Sequence, residues 1–371
     1  MEEEFIGAGA PWFLTLFGRD SLWTARMLLP LGTDLAMGTL RALARRRGRR
    51  TDARAAEEPG KILHELRGSE LTHAEGGPGG TGMVLPEVYY GTVDATPLWV
   101  CLLHDAWRAG ASAAEVSELV PALEDTLGWI TSSLDERGFL TYLGSAGGLA
   151  NQGWKDSPTA VQFSDGRLAE GPIALCEVQA YVVEALRSGA ALLEAFDQPS
   201  TGLRERADEV AASFRSHFWV DGFPAIALDG SGAPVDTLSS NIGHLLGTGL
   251  LSASEETVVA SRLLDLSSGY GLRTLVDTAV GYDPLSYHCG SVWTHDTAIA
   301  VLGLARSGAS PAALSVLSEG LLSAAEHFDW SLPELYGGQP ASAGPPVPYP
   351  QSCRPQAWAA ASAVALLTAL S

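Results

Sequence analysis

A long series of helical patterns constrains this sequence more than any other feature. Apolar residues recur at three- and four-residue spacing in segment after segment, which predicts amphipathic α-helices. The predicted helices span residues 22–29, 34–46, 97–109, 114–134, 172–196, 202–218, 237–250, 255–264, 293–304, 311–328 and 355–370. Short and long links alternate between them, which indicates helices arranged in pairs.

Strand signals are short and local by comparison. Residues 138–143 and 223–228 resemble pieces of hairpins between helices. Strands and helices do not alternate regularly, as they would in a parallel α/β fold. The sequence therefore predicts an all-α toroid of paired helices, with short β-hairpins in its loops.

Composition excludes some classes of partner. The net charge is −20 with only 23 Lys and Arg residues, so neither nucleic acid nor an anionic membrane surface is expected as a partner. The four cysteines (Cys101, Cys176, Cys289 and Cys353) are widely spaced and favour buried thiols in a reducing compartment. The acidic N-terminus lacks the pattern of a signal peptide, and no run of 18 apolar residues occurs, so we expect a cytoplasmic, soluble protein.

One connection, residues 47–92, is unusually long. Loops of this length are typically functional or disordered. The Gly-rich run at 76–80 predicts that residues 47–85 are partly mobile, whereas the charged run 59–67 is too apolar to be disordered.

The loops carry most of the residues suited to sugar chemistry, at 11–21, 86–97, 150–171, 281–296 and 329–356. Trp154, Lys155 and Asp156 are consecutive in the central loop. An indole offers a flat face on which a sugar ring can stack, and apolar surroundings raise the pKa of a carboxyl group so that it can donate a proton. The alternative is a polar surface loop that Trp154 anchors to the core.

Seven motifs together are similar to one enzyme family. They are residues 17–21 (FGRDS), 89–97 (YYGTVDATP), 153–157 (GWKDS), 177–181 (EVQAY), 287–293 (YHCGSVW), 333–338 (PELYGG) and 352–358 (SCRPQAW). In this order they resemble the six-hairpin, (α/α)6-barrel glycoside hydrolases. The likeness is to the bacterial amylo-α-1,6-glucosidase and glycogen-debranching-like proteins, related to glycoside hydrolase families 63 and 133.

The resemblance implies an inverting glycosidase. In such enzymes a carboxylic acid protonates the glycosidic oxygen and a carboxylate roughly 6.5–9.5 Å away activates water. By motif position, the acid is Asp156 and the base is Glu334. The alternative pairs are Asp20 with Glu334, and Asp156 with Glu177.

The resemblance also implies sugar-binding residues. Arg19 and Asp20 match the family's hydroxyl binders, although Asp20 or Ser21 could simply cap a helix that begins at Leu22. Asp94 and Glu177 could equally be structural. The candidate stacking platforms are Trp12, Tyr89, Trp154 and Trp293, and the remaining substrate-binding candidates are Lys155, Gln179 and His288. Alone, His288 and His295 would be interpreted as core histidines, and no spacing indicates a metal site or a cofactor.

The chain departs from the family at its N-terminus. The motif of residues 17–21 follows about a dozen residues after the start, so we expect a stand-alone or truncated catalytic domain without the family's β-rich N-terminal domain. We therefore expect residues 1–371 to form a single catalytic domain. About eleven predicted helices, in place of twelve, indicate an (α/α)6 barrel that lacks one helix. Its exposed apolar flank would then either be covered by a second copy of the chain, giving a homo-oligomer, or leave the protein marginally stable.

The predicted function is hydrolysis that releases glucose from an α-glucosidic linkage, in a 1,6-branch or a small glucoside. The expected substrate is thus an oligosaccharide, a polysaccharide or a small glucoside. One alternative is a sugar epimerase of the helical-toroid type, which would depend on His244, His288 and His295. The other is a saccharide-binding protein without turnover.

Overall fold

The computed structural model describes residues 4–72, 83–144 and 147–371. Within these ranges the chain forms eleven α-helices. Their bounds are α1 (Gly18–Leu28), α2 (Asp34–Arg45), α3 (Ala95–Arg108), α4 (Ala113–Ser117), α5 (Val120–Ser132), α6 (Cys176–Ala195), α7 (Leu203–His217), α8 (Ala253–Asp265), α9 (Thr294–Ser307), α10 (Pro311–His327) and α11 (Ala357–Leu370). Three 3₁₀ helices lie at Leu29–Leu31, Ser240–Leu245 and Ala341–Ala343. In the described ranges, no helix is both long enough and apolar enough to cross a membrane.

The strands are two residues long and pair antiparallel. They are β1 (Leu16–Phe17), β2 (Glu65–Leu66), β3 (Leu71–Thr72), β4 (Val84–Leu85), β5 (Val88–Tyr89), β6 (Ala174–Leu175), β7 (Trp219–Val220), β8 (Phe223–Pro224), β9 (Ala227–Leu228), β10 (Pro234–Val235), β11 (Val292–Trp293) and β12 (Leu335–Tyr336). Two three-stranded sheets, β1-β2-β5 and β10-β9-β6, accompany three strand pairs. The expected all-α class with short β-hairpins in its loops is confirmed.

Local sequence explains where several helices begin and end. Ser252 and Glu255 form a reciprocal capping box at the start of α8. Ser310 caps α10, and Pro311 follows at the first helical position, where a missing N–H costs nothing. Gly308 ends α9 in the left-handed conformation that glycine adopts without strain.

Some predicted elements were wrong. Residues 114–134 form two helices, because Pro121 cannot continue a helix from α4: its ring clashes with the carbonyl four residues earlier. Residues 237–250 contain only a short 3₁₀ helix, and Gly247 and Gly249 beyond it have positive φ angles. The helix expected from residue 172 begins at Cys176, since β6 pairs with β9 just before it. Residues 138–143 contribute only isolated bridges such as Leu134–Leu140.

The long connection contains more local structure than predicted, since it includes β2, β3, β4 and β5. The Gly-rich run at 76–80, for which mobility is expected, lies outside the described residues.

Two compact units divide the chain. Unit 1 comprises Met1–Ala8, Leu14–Pro158 and Tyr181–Val210. Within it, α1 packs on α2 and α3, and α3 packs on α5. The buried indole of Trp99 donates a 3.0 Å hydrogen bond to the carbonyl oxygen of Leu40, which joins α3 to α2. The buried Arg26 forms ion pairs with Asp105 at 2.7 Å and with Glu184.

Unit 2 comprises Gly9–Phe13, Thr159–Ala180 and Ala211–Ser371. Here α9 packs against α10, α11 and the 3₁₀ helix Ser240–Leu245. One of its core clusters consists of Tyr270, Val292, Ala324, Phe328 and Tyr336.

Unit 2 also carries an apolar groove of about 460 Å³ along α10 and α11. Its lining includes Trp330, which is 69% exposed, and Leu367, which is 72% exposed. An exposed apolar flank was expected from the sequence, whereas its coverage by a second copy of the chain stays a prediction.

Candidate active site

The first group of candidate residues lies at the start of α1, in unit 1. Gly18 N donates a 2.8 Å hydrogen bond to the carbonyl oxygen of His64, which holds the first turn of α1 against the segment that leads into β2. The next residue, Arg19, is buried. Its Nη1 lies 3.2 Å from Oδ1 and 3.0 Å from Oδ2 of Asp94. Thr92 donates a further 2.7 Å hydrogen bond to Oδ1 of Asp94, so this carboxylate is held from two sides.

Asp156 adjoins this pair. Its Oδ2 lies 3.7 Å from Nη2 of Arg19, and the side chain is 31% exposed. Burial raises the pKa of Asp156 to about 6; the charges of Glu65 and Asp94 add to that effect, while Arg19 opposes it. Asp156 thus combines access to solvent with a proton that it retains in mildly acidic solution.

Arg19 is the cation around which these acids lie. Burial alone would lower its pKa, but the charges of Asp94, Asp20 and Asp156 outweigh burial and raise it. The guanidinium therefore stays charged. Asp20 lies in the first turn of α1 and is buried. The predicted capping by Asp20 or Ser21 was wrong, because α1 begins at Gly18 and Phe17 is its N-cap residue.

The remaining candidates of unit 1 are largely buried. Trp154 is 3% exposed, and Nζ of Lys155 lies 4.9 Å from the centre of its ring. One face of the indole is therefore covered by a cation. Tyr89 is also buried, and its hydroxyl accepts a 3.1 Å hydrogen bond from Leu149 N.

The second group surrounds Glu334 in unit 2. This residue precedes β12, and its backbone is fixed on both sides: Glu334 N donates to Cys353 O, and Thr294 N donates to Glu334 O. The carboxylate is 2% exposed. Its Oε1 accepts a 2.9 Å hydrogen bond from the hydroxyl of Tyr287, and its Oε2 accepts one of 2.9 Å from Cys353 N.

Aromatic and histidine rings lie beside Tyr287. Trp293 donates a 2.6 Å hydrogen bond from Nε1 to the carbonyl oxygen of Tyr287, and His288 stacks on Trp293 with ring centres 5.1 Å apart. His295 stacks on Trp358 at 3.6 Å. His244 Nε2 lies 2.8 Å from Oδ1 of Asp296. All three histidines are buried within unit 2, and a role of His288 in substrate binding stays a prediction.

Three further candidates of unit 2 have different surroundings. Glu177 lies in the first turn of α6 and accepts a 2.9 Å hydrogen bond from Asn241 Nδ2. Gln179 donates from Nε2 to Leu175 O at 2.9 Å, and both side chains are fully buried. Trp12, by contrast, is 60% exposed. Among the described residues, no group of three or more His, Cys, Asp and Glu side chains is arranged to hold a metal ion.

The structure brings some predicted residues together and adds others. Arg19, Asp94 and Asp156 form one cluster in unit 1. His288 and Trp293 lie around Tyr287, the donor to Glu334, in unit 2. The sequence motif at 287–293 includes Tyr287, but its hydrogen bond to Glu334 was not predicted. Glu65, in β2, and Arg67, directly after it, were not among the candidate residues. For Glu65 and Arg67 the available signal was the charged run at 59–67, which is too apolar to be disordered.

Neither any protein-family model nor any curated protein matches the sequence. Solved structures do match the structure. The GH63 mannosylglycerate hydrolase from Thermus thermophilus in complex with glucose gives a TM-score of 0.73 at 15% identity, covering 98% of this chain and 95% of that one. The chain has the fold of that hydrolase. The complex of the same enzyme with Tris gives a TM-score of 0.72 at 15% identity, covering 98% of this chain and 96% of that one.

A rhamnosidase from Klebsiella oxytoca with rhamnose bound matches at a TM-score of 0.61 and 13% identity. The match covers 96% of this chain and 59% of the rhamnosidase. The predicted fold class, that of the (α/α)6 six-hairpin glycosidases, is therefore confirmed.

Proposed function

We propose that the protein is an inverting glycoside hydrolase acting on a small α-linked glycoside. The observation that carries the proposal is the setting of Asp156. This carboxyl group is partly exposed, has a pKa raised to about 6, and adjoins a buried arginine–carboxylate pair. A general acid needs these properties, since it must hold a proton near the working pH and still reach the substrate.

In the proposed reaction, Asp156 donates its proton to the glycosidic oxygen as the bond from that oxygen to the anomeric carbon breaks. Glu334 removes a proton from water, whose oxygen forms the new bond to the anomeric carbon from the opposite face. Tyr287 and Cys353 N orient the carboxylate of Glu334. The products are a free sugar of inverted anomeric configuration and an alcohol, and each catalytic carboxyl group ends in the other's initial protonation state.

The substrate class is suggested by the structural relatives. The mannosylglycerate hydrolase was solved with glucose and with Tris plus D-glycerate, and the rhamnosidase was solved with rhamnose. We therefore favour a small glycoside with a polar aglycone over a branched polysaccharide. Release of glucose from a 1,6-branch stays as the second form of the same proposal, since it follows from the sequence motifs.

The test is a panel of glycosides followed by proton NMR, which reports turnover and the first anomer formed. The panel contains α-glucosides, α-mannosides, α-rhamnosides, mannosylglycerate and a 1,6-branched glucan. We expect hydrolysis with inversion and a loss of kcat/KM above about pH 6, where Asp156 loses its proton. Asp156→Asn and Glu334→Gln should each reduce kcat by about 10²–10⁴-fold.

Glu256→Gln is the matched control. Glu256 is a buried carboxylate that accepts a 2.9 Å hydrogen bond from Gly247 N, and its substitution should leave kcat unchanged. Turnover that survives Asp156→Asn but is lost on His244→Ala would instead indicate an epimerase. Saccharide binding without product over long incubation would indicate a binding protein, and either result would refute the hydrolase.

A further inference from the structure

Glu65 is a buried carboxylate for which the proposed reaction assigns no role. It lies in β2, where it is paired with Phe17 on one side and with Tyr89 on the other. Its side chain is only 1% exposed. Carboxylates this deeply buried are rare unless they are paired and hydrogen-bonded, because removing the charge from water is costly.

The hydrogen-bonding capacity of Glu65 is not used by the described part of the chain. Oε2 lies 2.7 Å from Nη2 of Arg67, an ion pair whose approach is not aligned for a hydrogen bond. Neither Oε1 nor Oε2 receives a hydrogen bond, although an ionised carboxylate can accept about four. Buried acceptors without donors are uncommon in folded proteins and call for a specific explanation.

Two arginine N–H donors in the same part of unit 1 are likewise buried without a hydrogen-bond partner among the described residues. They are Nε of Arg19 and Nε of Arg67. Gly18 N donates a hydrogen bond to His64 O. Arg19 follows Gly18 and Glu65 follows His64, so this contact brings the two segments together. Buried donors and acceptors without hydrogen-bond partners in one region of the fold match a ligand that both donates and accepts, as hydroxyl groups do.

The neighbouring imidazole does not supply the missing proton. Burial lowers the pKa of His64 well below its usual range, and the charges of Arg19 and Arg67 lower it further. His64 is therefore neutral at physiological pH, and its ring packs edge-on against Phe17 and Tyr89. Arg19 and Arg67 thus lie near a neutral His64, and Arg67 is the ion-pair partner of Glu65.

Glu65 belongs to the surroundings of Asp156. The negative charges of Glu65 and Asp94 raise the pKa of Asp156, whereas the positive charge of Arg19 lowers it. In the fold, Glu65 pairs with Phe17 across β1 and β2, and Arg19, two residues beyond Phe17, lies 3.7 Å from Asp156. The pairing of β1 with β2 therefore brings Glu65 to the part of unit 1 that contains the candidate acid.

We propose that Glu65 is a specificity-determining residue: both of its oxygens accept hydrogen bonds from adjacent hydroxyl groups of the sugar bound at Asp156. Arg67 is a positioning residue that holds the carboxylate through its ion pair. The inference rests on the proposed function for the identity of the ligand as a sugar. It goes beyond that function by stating which side chain recognises the hydroxyl pattern.

A purely structural role predicts a different response to substitution. If Glu65 served only as the partner of Arg67, Glu65→Gln would weaken the fold and leave sugar discrimination unchanged. In a recognition role the carboxylate is retained at a cost to stability, so Glu65→Gln should preserve or raise the melting temperature while it weakens sugar binding.

The experiment measures binding of free sugars by calorimetry, independently of turnover. The probes are D-glucose, D-mannose and L-rhamnose, and then the monodeoxy analogues of the one that binds best. Removing a hydroxyl bound by Glu65 should weaken binding to the wild type by about tenfold to a hundredfold, the range for a hydrogen bond to a charged group. In Glu65→Gln the parent sugar should bind more weakly by a similar factor, and the difference between parent and deoxy sugar should largely vanish. Glu256→Gln should bind as the wild type does.

The outcomes separate the two proposals. Sugar binding that depends on Glu65 in a protein that hydrolyses no glycoside supports the inference and refutes the hydrolase. Hydrolysis with unchanged discrimination among deoxy sugars in Glu65→Gln refutes the inference and leaves the hydrolase standing. A wild-type protein that neither binds these sugars nor hydrolyses any glycoside refutes both. Should Glu65→Gln not fold, Arg67→Met replaces it, with the same loss of discrimination expected.

Discussion

At the scale of the residue, chemistry here depends on what surrounds a side chain. Asp94 and Asp156 both lie beside Arg19, yet they differ in access to water. Asp94 is 1% exposed and paired with Arg19 through both oxygens, whereas Asp156 is 31% exposed and makes only the longer contact. The first carboxylate is thereby fixed as a partner for the arginine, and the second keeps the freedom to exchange a proton.

The raised pKa of Asp156 gives a prediction about stability. A carboxyl whose pKa is higher in the folded state, here about 6 against 3.8, contributes stability that is complete below pH 3.8 and is lost as pH rises through 6. Compared with the wild type, Asp156→Asn should therefore gain relative stability between pH 4 and pH 7. We expect roughly 1–3 kcal/mol, with the lower part of the range favoured by partial exposure.

Urea unfolding of both proteins at pH 4, 5, 6 and 8 would measure this difference. Asp165→Asn is the control, since hydrogen bonds from Arg167 lower the pKa of this exposed carboxylate below 3.8, so the difference between this variant and the wild type should change little from pH 4 to pH 8. A difference between Asp156→Asn and the wild type that does not change with pH would contradict the raised pKa.

At the scale of the element, glycine decides how closely α1 approaches β2. A Cβ on Gly18 would overlap the carbonyl oxygen of Leu63 and touch the side chain of Ala95. The first turn of α1 carries Arg19, and the strand beyond Leu63 carries Glu65. Close contact between backbone atoms therefore sets the spacing of charges around Asp156.

We predict that Gly18→Ala destabilises the protein by about 1–3 kcal/mol, the usual cost of overpacking, and weakens sugar binding as well. Gly128→Ala is the matched control, because Gly128 is exposed in α5 and an added Cβ meets no atom within 4 Å. That substitution should stabilise the protein by about 0.5–1 kcal/mol through helix propensity alone. Thermal melts and sugar titrations of the two variants would test this; equal effects would contradict the role assigned to Gly18.

At the scale of the whole molecule, the chain forms two compact units that share secondary structure. Helix α6 belongs to unit 2 up to Ala180 and to unit 1 from Tyr181. Helix α7 belongs to unit 1 up to Val210 and to unit 2 from Ala211. Helix formation is cooperative, so loss of one part of a helix weakens the other. The expectation of a single catalytic domain can be tested on this basis.

We predict a single calorimetric transition whose calorimetric and van't Hoff enthalpies agree, as for one cooperative unit. Differential scanning calorimetry at two protein concentrations would measure both enthalpies. It would also reveal self-association through any concentration dependence of the melting temperature. Two resolved transitions would show that the units unfold independently.

Much of the fold was predictable because helical periodicity is a local property of the sequence. The predicted helices at 202–218, 255–264 and 311–328 agree with α7, α8 and α10 to within two residues at each end. The helix predicted at 237–250 failed since glycines and neighbouring contacts override apolar spacing there. Breaks such as that before Pro121 were visible in the sequence but were outweighed by the periodicity around them.

The sequence by itself determined the helical fold class and the net negative charge, and its motifs made Asp156 the candidate acid, because spacing, composition and local motifs are written along the chain. Only the tertiary structure decided that Arg19 pairs with Asp94, that the pKa of Asp156 is raised to about 6, and that Glu65 is buried with no hydrogen-bond donor among the described residues. Burial and electrostatic coupling depend on distances between residues far apart in sequence, and those distances exist only once the chain has folded.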